Sequence, residues 1–310
     1  MAEPISVAVR RGSVIEAVHA VHAVAVQDGA VVAEAGDSAL IAFLRSSSKP
    51  IQALPLARAR PDLDKTDLAI ASASHVATQP QIDAVRRLLE RAPAAEAELD
   101  CGLQDGRPPE PVYHNCSGKH AGMLALCRAH DWPSEGYRQP EHPVQQAMLT
   151  EHAAAAEVDA SEIPTAIDGC GVVTFALPLE RVAFAFSRFE ELGGGAGVAA
   201  AIRAHPDLIG GPAGADVQLM HAAPDWIAKG GAEGLICASG PDGLGVALKS
   251  EDGSQRPLAV ALSSLLARLG VSVDVPGSIP LRNSHGEAVG KVGILSEIAG
   301  KNSPKFVNSV

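Results

Sequence analysis

A run of serines followed by a lysine stands at residues 45–50, where the chain reads Arg-Ser-Ser-Ser-Lys-Pro. A serine hydroxyl becomes an effective nucleophile only when a base takes its proton. If Pro50 lies in the first turn of a helix, Ser46 stands at or just before the helix start, three residues from Lys49 and on the same face. The spacing indicates a Ser-x-x-Lys pair. A serine in this place is also typical of a helix cap, which is the alternative interpretation.

Two later segments can complete such a site. An apolar run at residues 67–74 predicts a buried strand that presents Ser74 at its carboxyl end. Lys229 precedes two glycines in a segment that also predicts a strand, as expected for a lysine placed beside a bound substrate. Lys249 is a weaker choice for this second lysine because no glycine follows it. Together with the serine run, these segments predict serine acylation chemistry.

A second group of reactive side chains occupies residues 114–120, which read His-Asn-Cys-Ser-Gly-Lys-His and precede an apolar run with helical spacing. Cys116 and Lys119 are therefore expected at a helix N-terminus, where a thiolate is favoured. Cys170 stands between two glycines, with Asp168 two residues before it. The chain has 5 cysteines, an odd number, and no secretion signal, so disulfides are not expected. Simple burial is the alternative role for each thiol.

Length and charge limit the possible functions. A chain of 310 residues can bury a large core, as one domain or as two closely joined ones. The net charge of -11 is spread along the sequence without a basic run, which argues against nucleic acid and anionic membranes as partners. No apolar stretch is long enough to span a bilayer. The sequence therefore predicts a cytoplasmic protein that acts on a small molecule.

The elements that must position these residues follow a simple order. Strands are predicted near both ends of the chain and helices mostly between them. The predicted strands are 7–11, 24–32 with a turn at 28–29, 235–238, 245–249 and 288–298. The main predicted helices are 80–91, one following residue 116, 143–157, 179–192, 198–205 and 257–269. We expect a single domain over 1–310 with an α+β fold, in which an antiparallel sheet from about 1–40 and 225–310 packs against a mainly helical part at about 41–224.

Six motifs, in this order along the chain, resemble the rhizobial-type L-asparaginases, the asparaginase II family. They are Ser-Ser-Ser-Lys-Pro (46–50), Ala-Ser-His (73–75), Asn-Cys-Ser-Gly-Lys-His-Ala-Gly-Met (115–123), Asp-Gly-Cys-Gly (168–171), Lys-Gly-Gly-Ala-Glu-Gly (229–234) and Asn-Ser-His-Gly-Glu-Ala-Val-Gly (283–290). The resemblance runs from about residue 7 to residue 292, and the motif at 115–123 is its most specific part.

The resemblance implies a fold similar to serine β-lactamases and glutaminases, a homodimer, and hydrolysis of L-asparagine to aspartate and ammonia. By the matching motifs, Ser46 resembles the nucleophile of the family and Lys49 its partner. Ser74 resembles the second catalytic serine, and Lys229 the second catalytic lysine. Apart from the resemblance, Arg45 is a candidate to pair with the substrate carboxylate, and an exposed surface arginine is the alternative interpretation.

The resemblance further implies one zinc ion per chain, held by Cys116, Lys119 and Cys170. Asp168 and His120 look like its close supporting residues, and His120 is also expected to lie by the substrate. Two thiolates and an amine suit zinc, but the lysine must first lose its proton, so occupancy should fall at low pH.

The chain departs from the family pattern at two places. Residues 76–79 read Val-Ala-Thr-Gln where the family usually has Ser/Asn-Gly-Glu, so an acidic group expected near the site is missing. Residues 210–216 lack the usual Gly-x-Gly-Arg-Phe-Asp run. These departures leave two alternatives to the asparaginase hypothesis: an amidase for glutamine or another small amide, and a non-catalytic relative that binds an amino acid or a metal.

Overall fold

The computed structural model describes residues 2–298. Its strands are β1 Ile5–Arg11, β2 Val14–Gln27, β3 Ala30–Ala35, β4 Ile41–Phe43, β5 Thr165–Ile167, β6 Val173–Pro178, β7 Ile227–Gly231, β8 Leu235–Ser239, β9 Gly245–Ser250, β10 Ser278–Arg282 and β11 Ala288–Ile294. The predicted single domain over 1–310 includes terminal residues outside this range and stays a prediction.

The α-helices lie mainly between the two groups of strands. They are α1 Lys49–Gln52, α2 Leu54–Ala59, α3 Lys65–Ala71, α4 Gln79–Arg91, α5 Ser117–Ala129, α6 Pro143–Ala156, α7 Leu179–Ser187, α8 Gly195–Ala204, α9 Pro206–Ile209, α10 Ala215–Ala222, α11 Leu258–Arg268 and α12 Leu295–Ile298. No helix in the described part of the chain combines the length and the apolar character that a membrane crossing requires.

The large sheet is antiparallel and joins the two ends of the chain. Its strands follow the order β10-β11-β1-β2-β9-β8-β7, and β3 also pairs with β2. Residues 21–26 of β2 are buried on both faces, and α7 and α11 both contact β2 and β9. The sheet centre is therefore part of the core. This topology confirms the predicted α+β fold, in which the terminal segments build one sheet and helices pack on it.

A second, three-stranded sheet has the order β4-β6-β5. It lies between the helices along the chain, in a part that the sequence predicted to be mainly helical. Its edge strands have three residues each, which is too short for an alternating pattern to be visible. The register pairs Phe43 with Ala176 and Ile167 with Val173. β4 leads directly into the serine run.

The strand predicted at residues 67–74 is wrong, because this segment begins in helix α3. Asp64 caps the helix by accepting hydrogen bonds from the Thr66 and Asp67 N–H groups, and Asp67 accepts one from the Asp64 N–H. This reciprocal cap is a helix start signal. A short buried apolar run does not distinguish strand from helix by its periodicity, and the cap residues decide the outcome here.

Two other predicted boundaries change. The predicted helix 179–192 ends at Ser187 and is followed by a 3-10 turn at Phe189–Glu191. The predicted strand 288–298 ends at Ile294, where α12 begins. Both changes lie away from the reactive motifs.

Helices α3 and α5 pack very closely, and this contact positions the motif at 115–123. A side chain at Gly118 would place its Cβ only 2.2 Å from the Ile70 carbonyl oxygen. Only glycine allows this approach. The start of α5 is thereby pressed against α3, whose C-terminal end leads to Ser74.

Candidate active site

The serine run forms a 3-10 helix, Arg45–Ser48, that continues directly into α1, with Pro50 in the first turn as predicted. Two of its hydroxyls are used internally: Ser47 donates to the Lys229 carbonyl oxygen (3.0 Å), and Ser48 donates to the Arg45 carbonyl oxygen (2.7 Å). Ser46 is half-buried, and its hydroxyl makes no hydrogen bond within residues 2–298. Of the three serines, Ser46 therefore has the hydroxyl that is available to a substrate.

Lys49 is fully buried, and its ammonium donates to the backbone carbonyl of residue 73 and to the Ser74 hydroxyl (2.8 Å). Burial lowers the pKa of Lys49 from its ordinary value of 10.5 to about 8, and the charges of Lys119 and Lys229 act in the same direction while that of Cys116 opposes them. About a tenth of Lys49 is therefore neutral at pH 7, and about half at pH 8. A neutral amine can accept a proton.

Ser74 is held in place by the segment that follows α3. Its N–H donates to the Ile209 carbonyl oxygen (2.8 Å). The next residue, His75, is buried, and its Nε2 lies 2.7 Å from the Ser117 hydroxyl at the start of α5. Burial lowers the pKa of His75 to about 3, so its ring stays neutral. His75 thus ties the Ser74 segment to the helix that carries Cys116 and Lys119.

Lys229 lies on β7 with its side chain buried, and Asp216 at the start of α10 is its partner. The Lys229 ammonium is 3.5 Å from Asp216 Oδ2, and the same oxygen accepts the Gly230 N–H (2.8 Å). Sequence reasoning missed Asp216. It places a carboxylate near the reactive lysines although the family's acidic segment is absent at residues 76–79. Lys249 lies on β9, at the wall of a cavity that Arg45 also lines.

Strand β7 touches the serine run through Gly231. A Cβ at this position would lie 2.7 Å from both the Leu44 carbonyl oxygen and the Ser47 hydroxyl. The backbone contact and the hydrogen bond from Ser47 to Lys229 hold the strand against the 3-10 helix. These contacts bring the Lys229 strand beside the Ser-x-x-Lys pair.

Cys116, Lys119 and Cys170 come together in the interior. Cys116 caps α5, Lys119 lies in its first turn, and the Lys119 ammonium is 3.1 Å from Cys170 Sγ. A hydrogen bond from Cys170 holds the pKa of the Cys116 thiol well below its ordinary value, although burial opposes this, while the same bond and burial raise the pKa of Cys170. Burial alone would lower the pKa of Lys119, but the two sulfurs outweigh it and raise that pKa.

This donor set is chemically suited to zinc, which accepts thiolate and nitrogen ligands. Within residues 2–298 there is no cluster of three or more His, Cys, Asp or Glu side chains that could hold a metal, so a metal site here requires the lysine as a ligand. His120 is fully buried next to this group. Its Nδ1 lies 2.6 Å from the Tyr137 hydroxyl, and its Nε2 has no hydrogen-bond partner among the described residues.

Arg45 connects the group formed by Cys116, Lys119 and Cys170 to the serine run. Its Nε donates to Asp168 Oδ1 (2.6 Å), and its Nη1 is 4.0 Å from Glu233 Oε1. Asp168 is two residues from Cys170 and also accepts the Gly169 N–H (2.7 Å). The backbone of Arg45 has a positive φ of 50°, an unusual conformation for a residue other than glycine. Such strain is found at functional sites more often than elsewhere.

A family model described as L-asparaginase II matches residues 7–294, nearly the whole chain. The chain is thus an enzyme of the amidohydrolase class. It belongs to the L-asparaginase II family, as the sequence motifs indicated. No curated protein sequence matches the chain.

Several solved structures are similar to the chain at low sequence identity. SurE with D-Leu shares 14% identity over 84% of this chain and 75% of that chain, with a TM-score of 0.43. A Bacteroides dorei protein named after the β-lactamases shares 11% identity over 80% of this chain and 93% of that chain, with a TM-score of 0.44. A Bacillus glutaminase shares 13% identity over 81% and 91%, with a TM-score of 0.38.

Proposed function

We propose that the protein is an L-asparaginase that works through an acyl-enzyme intermediate on Ser46. Family membership supports the asparaginase activity. The mechanism is supported by one observation above the others: the buried Lys49 ammonium is in hydrogen-bond contact with the Ser74 hydroxyl. Ser46, whose hydroxyl makes no hydrogen bond within residues 2–298, precedes Lys49 by three residues in the same helical segment. A partly neutral lysine and a relaying hydroxyl are what a serine nucleophile needs.

In the acylation step, the Ser46 oxygen attacks the side-chain carbonyl carbon of asparagine. The Ser46 proton passes to Lys49, either directly or through Ser74, and then to the amide nitrogen. The carbon–nitrogen bond breaks and ammonia leaves, so that an aspartyl ester remains on Ser46. The Ser46 N–H at the start of the 3-10 helix would stabilise the oxyanion, because the Arg45 and Ser47 N–H groups already donate to Thr174 Oγ1 and to the Leu44 carbonyl oxygen.

In the deacylation step, water attacks the ester carbonyl, and Lys49 with Ser74 accepts its proton and returns one to Ser46. Aspartate is then released. Lys229 is held by Asp216, and its charge helps to lower the pKa of Lys49. In this proposal the role of Lys229 is to lower the pKa of the base Lys49. Lys249 has no part in proton transfer.

We also propose that Cys116, Lys119 and Cys170 hold a zinc ion, with Asp168 and His120 as supporting residues. The two buried sulfurs, the Lys119 amine 3.1 Å from Cys170 Sγ and the His120 Nε2, which has no partner among the described residues, fit such an ion. Bound zinc would supply a Lewis acid that orients charged groups of the substrate. Arg45, fixed by Asp168, would turn its remaining guanidinium nitrogens toward the substrate carboxylate.

The nucleophile is tested by comparing Ser46→Ala with Ser48→Ala in an ammonia-release assay on L-asparagine. Ser46→Ala should lower kcat by roughly 10⁴-fold or more, because a nucleophile cannot be replaced by its neighbours. Ser48→Ala loses only a hydrogen bond to a backbone carbonyl and should cost less than about tenfold. Mass spectrometry of acid-quenched wild type should find an aspartyl group on the peptide that contains Ser46.

Two outcomes would change the proposal. Full activity in Ser46→Ala would exclude Ser46 as the nucleophile. A wild-type enzyme that hydrolyses L-glutamine or another small amide faster than L-asparagine would keep the mechanism and change the substrate.

A further inference from the structure

A cavity of about 370 Å³ opens beside Arg45, the residue that directly precedes Ser46. Its polar wall consists of Arg45, Thr174 on β6, Glu233 in the turn between β7 and β8, and Lys249 on β9. The remaining wall is made of residues from β4 and β5: Ile41, Ala42, Phe43, Ala166 and Ile167. A concave site with an apolar wall and a few charged groups is typical of small-molecule binding.

Two residues of this wall have a backbone conformation that is unfavourable for their type. Arg45 has φ of 50° and Glu233 has φ of 60°, although neither is glycine. The two face each other, with Arg45 Nη1 4.0 Å from Glu233 Oε1. A glycine at position 233 would form the turn without this strain. The turn thus keeps a carboxylate at the cavity wall at some cost in backbone strain.

The charged groups of the cavity are incompletely paired. Glu233 has 69% of its side chain exposed, and its carboxylate makes no hydrogen bond within residues 2–298. The Lys249 ammonium donates to the Ser250 carbonyl oxygen and has no carboxylate within ion-pair distance in the same range. Arg45 is held by Asp168 through Nε, which leaves the ends of its guanidinium for other contacts. The cavity thus offers one carboxylate and two cations to a ligand.

These charges complement those of a free α-amino acid, which carries one ammonium and one carboxylate. We propose that the cavity is the subsite for the amino-acid group of the amide substrate, in which Glu233 binds the α-ammonium and Lys249, together with Arg45, binds the α-carboxylate. The proposal rests on the proposed function, since it assigns the part of the substrate that does not react. Glu233 and Lys249 are then specificity-determining residues that select amino-acid amides over simple amides.

Three substrates distinguish the contact of Glu233 with the α-ammonium from the contact of Lys249 with the α-carboxylate. L-asparagine carries both charged groups, succinamate lacks the ammonium, and 3-aminopropanamide lacks the carboxylate. Glu233→Gln should lower kcat/KM for L-asparagine about 10- to 100-fold, the loss expected for one charge-assisted hydrogen bond, and leave succinamate within about twofold. Lys249→Met should lower kcat/KM for L-asparagine and succinamate by a similar factor and leave 3-aminopropanamide unchanged.

Two control variants carry the same charge changes on exposed parts of the surface. Glu90→Gln lies on α4, and Lys65→Met lies at the start of α3. Both should match the wild type on all three substrates. Glu233→Gly provides a second test, because it removes the carboxylate while relieving the positive φ. It should lose activity on L-asparagine as Glu233→Gln does, with an equal or higher Tm.

Binding to Ser46→Ala protein, measured by calorimetry with L-asparagine, tests the subsite without turnover. Adding Glu233→Gln or Lys249→Met to this variant should weaken binding about 10- to 100-fold. Unchanged binding, or equal losses on L-asparagine and succinamate in Glu233→Gln, would overturn the subsite. A wild type that releases no ammonia from any amide would instead overturn the proposed function, while the binding result would still decide the subsite.

Discussion

The ammonium nitrogen of Lys49 lies 2.8 Å from the hydroxyl oxygen of Ser74, and both groups come from segments that are 25 residues apart in the chain. The contact joins the start of α1 to the end of α3. α3 also packs closely against α5 at Gly118. The start of α5, which carries Cys116 and Lys119, is therefore held close to the segment that leads to Ser74. The two reactive motifs of the sequence therefore belong to one structural unit.

The lowered pKa of Lys49 predicts the pH dependence of activity. As a base, Lys49 must be neutral, and its neutral fraction rises with pH through about 8. The kcat/KM for L-asparagine should therefore rise up to about pH 8 and level off above it. Initial rates measured between pH 6 and 10 test this. An ascending limb near the ordinary value of 10.5 would show that burial does not deprotonate Lys49.

The same shift predicts a pH-dependent stability. The folded-state pKa is about 8 and the ordinary value is 10.5, so the unfolded chain holds more protons between these values and stability rises with pH across them. The penalty for burying the charge, about 3 kcal/mol, is present below pH 8 and lost above 10.5. Urea unfolding at both pH values should show this gain in wild type and not in Lys49→Met.

The sequence located the Ser-x-x-Lys pair because its chemistry is local. Three residues of spacing and a proline in the first turn were enough to place Ser46 before Lys49 at a helix start, and the structure has this arrangement. Ser74 lies beside Lys49 although its segment was assigned to a strand, since either element ends near the same residue, and its catalytic role stays a prediction. The wrong assignment of residues 67–74 to a strand therefore did not change the expected position of Ser74 at the end of the element.

The proposed zinc site at Cys116, Lys119 and Cys170 predicts that removing one sulfur causes loss of zinc. Cys170→Ala removes one of two sulfurs and should lower the zinc content of purified protein from about one ion per chain to near zero, because two protein ligands hold zinc poorly. Elemental analysis measures this. Zinc binding should also weaken as pH falls, since the metal must displace the protons of Lys119 and of a thiol.

Cys127→Ala is the matched control for this experiment. Cys127 is a buried thiol on α5, the helix that Cys116 caps, and it is not one of the proposed zinc ligands. Its loss should leave the zinc content unchanged. Equal zinc in Cys170→Ala and in wild type would rule out the proposed ligand set.

The close approach of β7 to the serine run predicts that Gly231→Ala is damaging. The added methyl group would collide with the Leu44 carbonyl oxygen and the Ser47 hydroxyl, at 2.7 Å each. Overpacking of this kind costs about 1–3 kcal/mol and should also lower kcat, because it moves the Lys229 strand away from Lys49. Thermal unfolding and ammonia release measure the two effects.

Gly197→Ala gives the opposite result and serves as the control. Gly197 lies inside α8, and an added Cβ would meet no atom within 4 Å. Alanine at this site should stabilise the protein by about 0.5–1 kcal/mol through its higher helix propensity and leave activity unchanged. If both variants behaved alike, the contact at Gly231 would have no special role.

Asp216 and Glu233 could not be identified from the sequence, for a physical reason. Each meets a basic partner that is remote in the chain or belongs to another element: Asp216 meets Lys229 on β7, and Glu233 faces Arg45 across the cavity. Single acidic residues at a helix start or in a turn have no distinguishing pattern. The strands β4 and β5, which line the cavity, have three residues each and are too short to show an alternating pattern in the sequence. Such contacts arise only once the two sheets are assembled.

The buried pair of Lys229 and Asp216 predicts a strong interaction between two substitutions. Asp216→Asn keeps the shape but leaves the buried charge of Lys229 without a counter-charge, which should cost about 3 kcal/mol or more. Lys229→Met removes that charge, so the double variant should be more stable than the sum of the single losses by about 1–3 kcal/mol. Urea unfolding of the four proteins gives this coupling energy. Additive losses would mean that Asp216 and Lys229 contribute to the free energy of unfolding independently of each other. Contacts other than the one with Asp216 would then hold Lys229 in place.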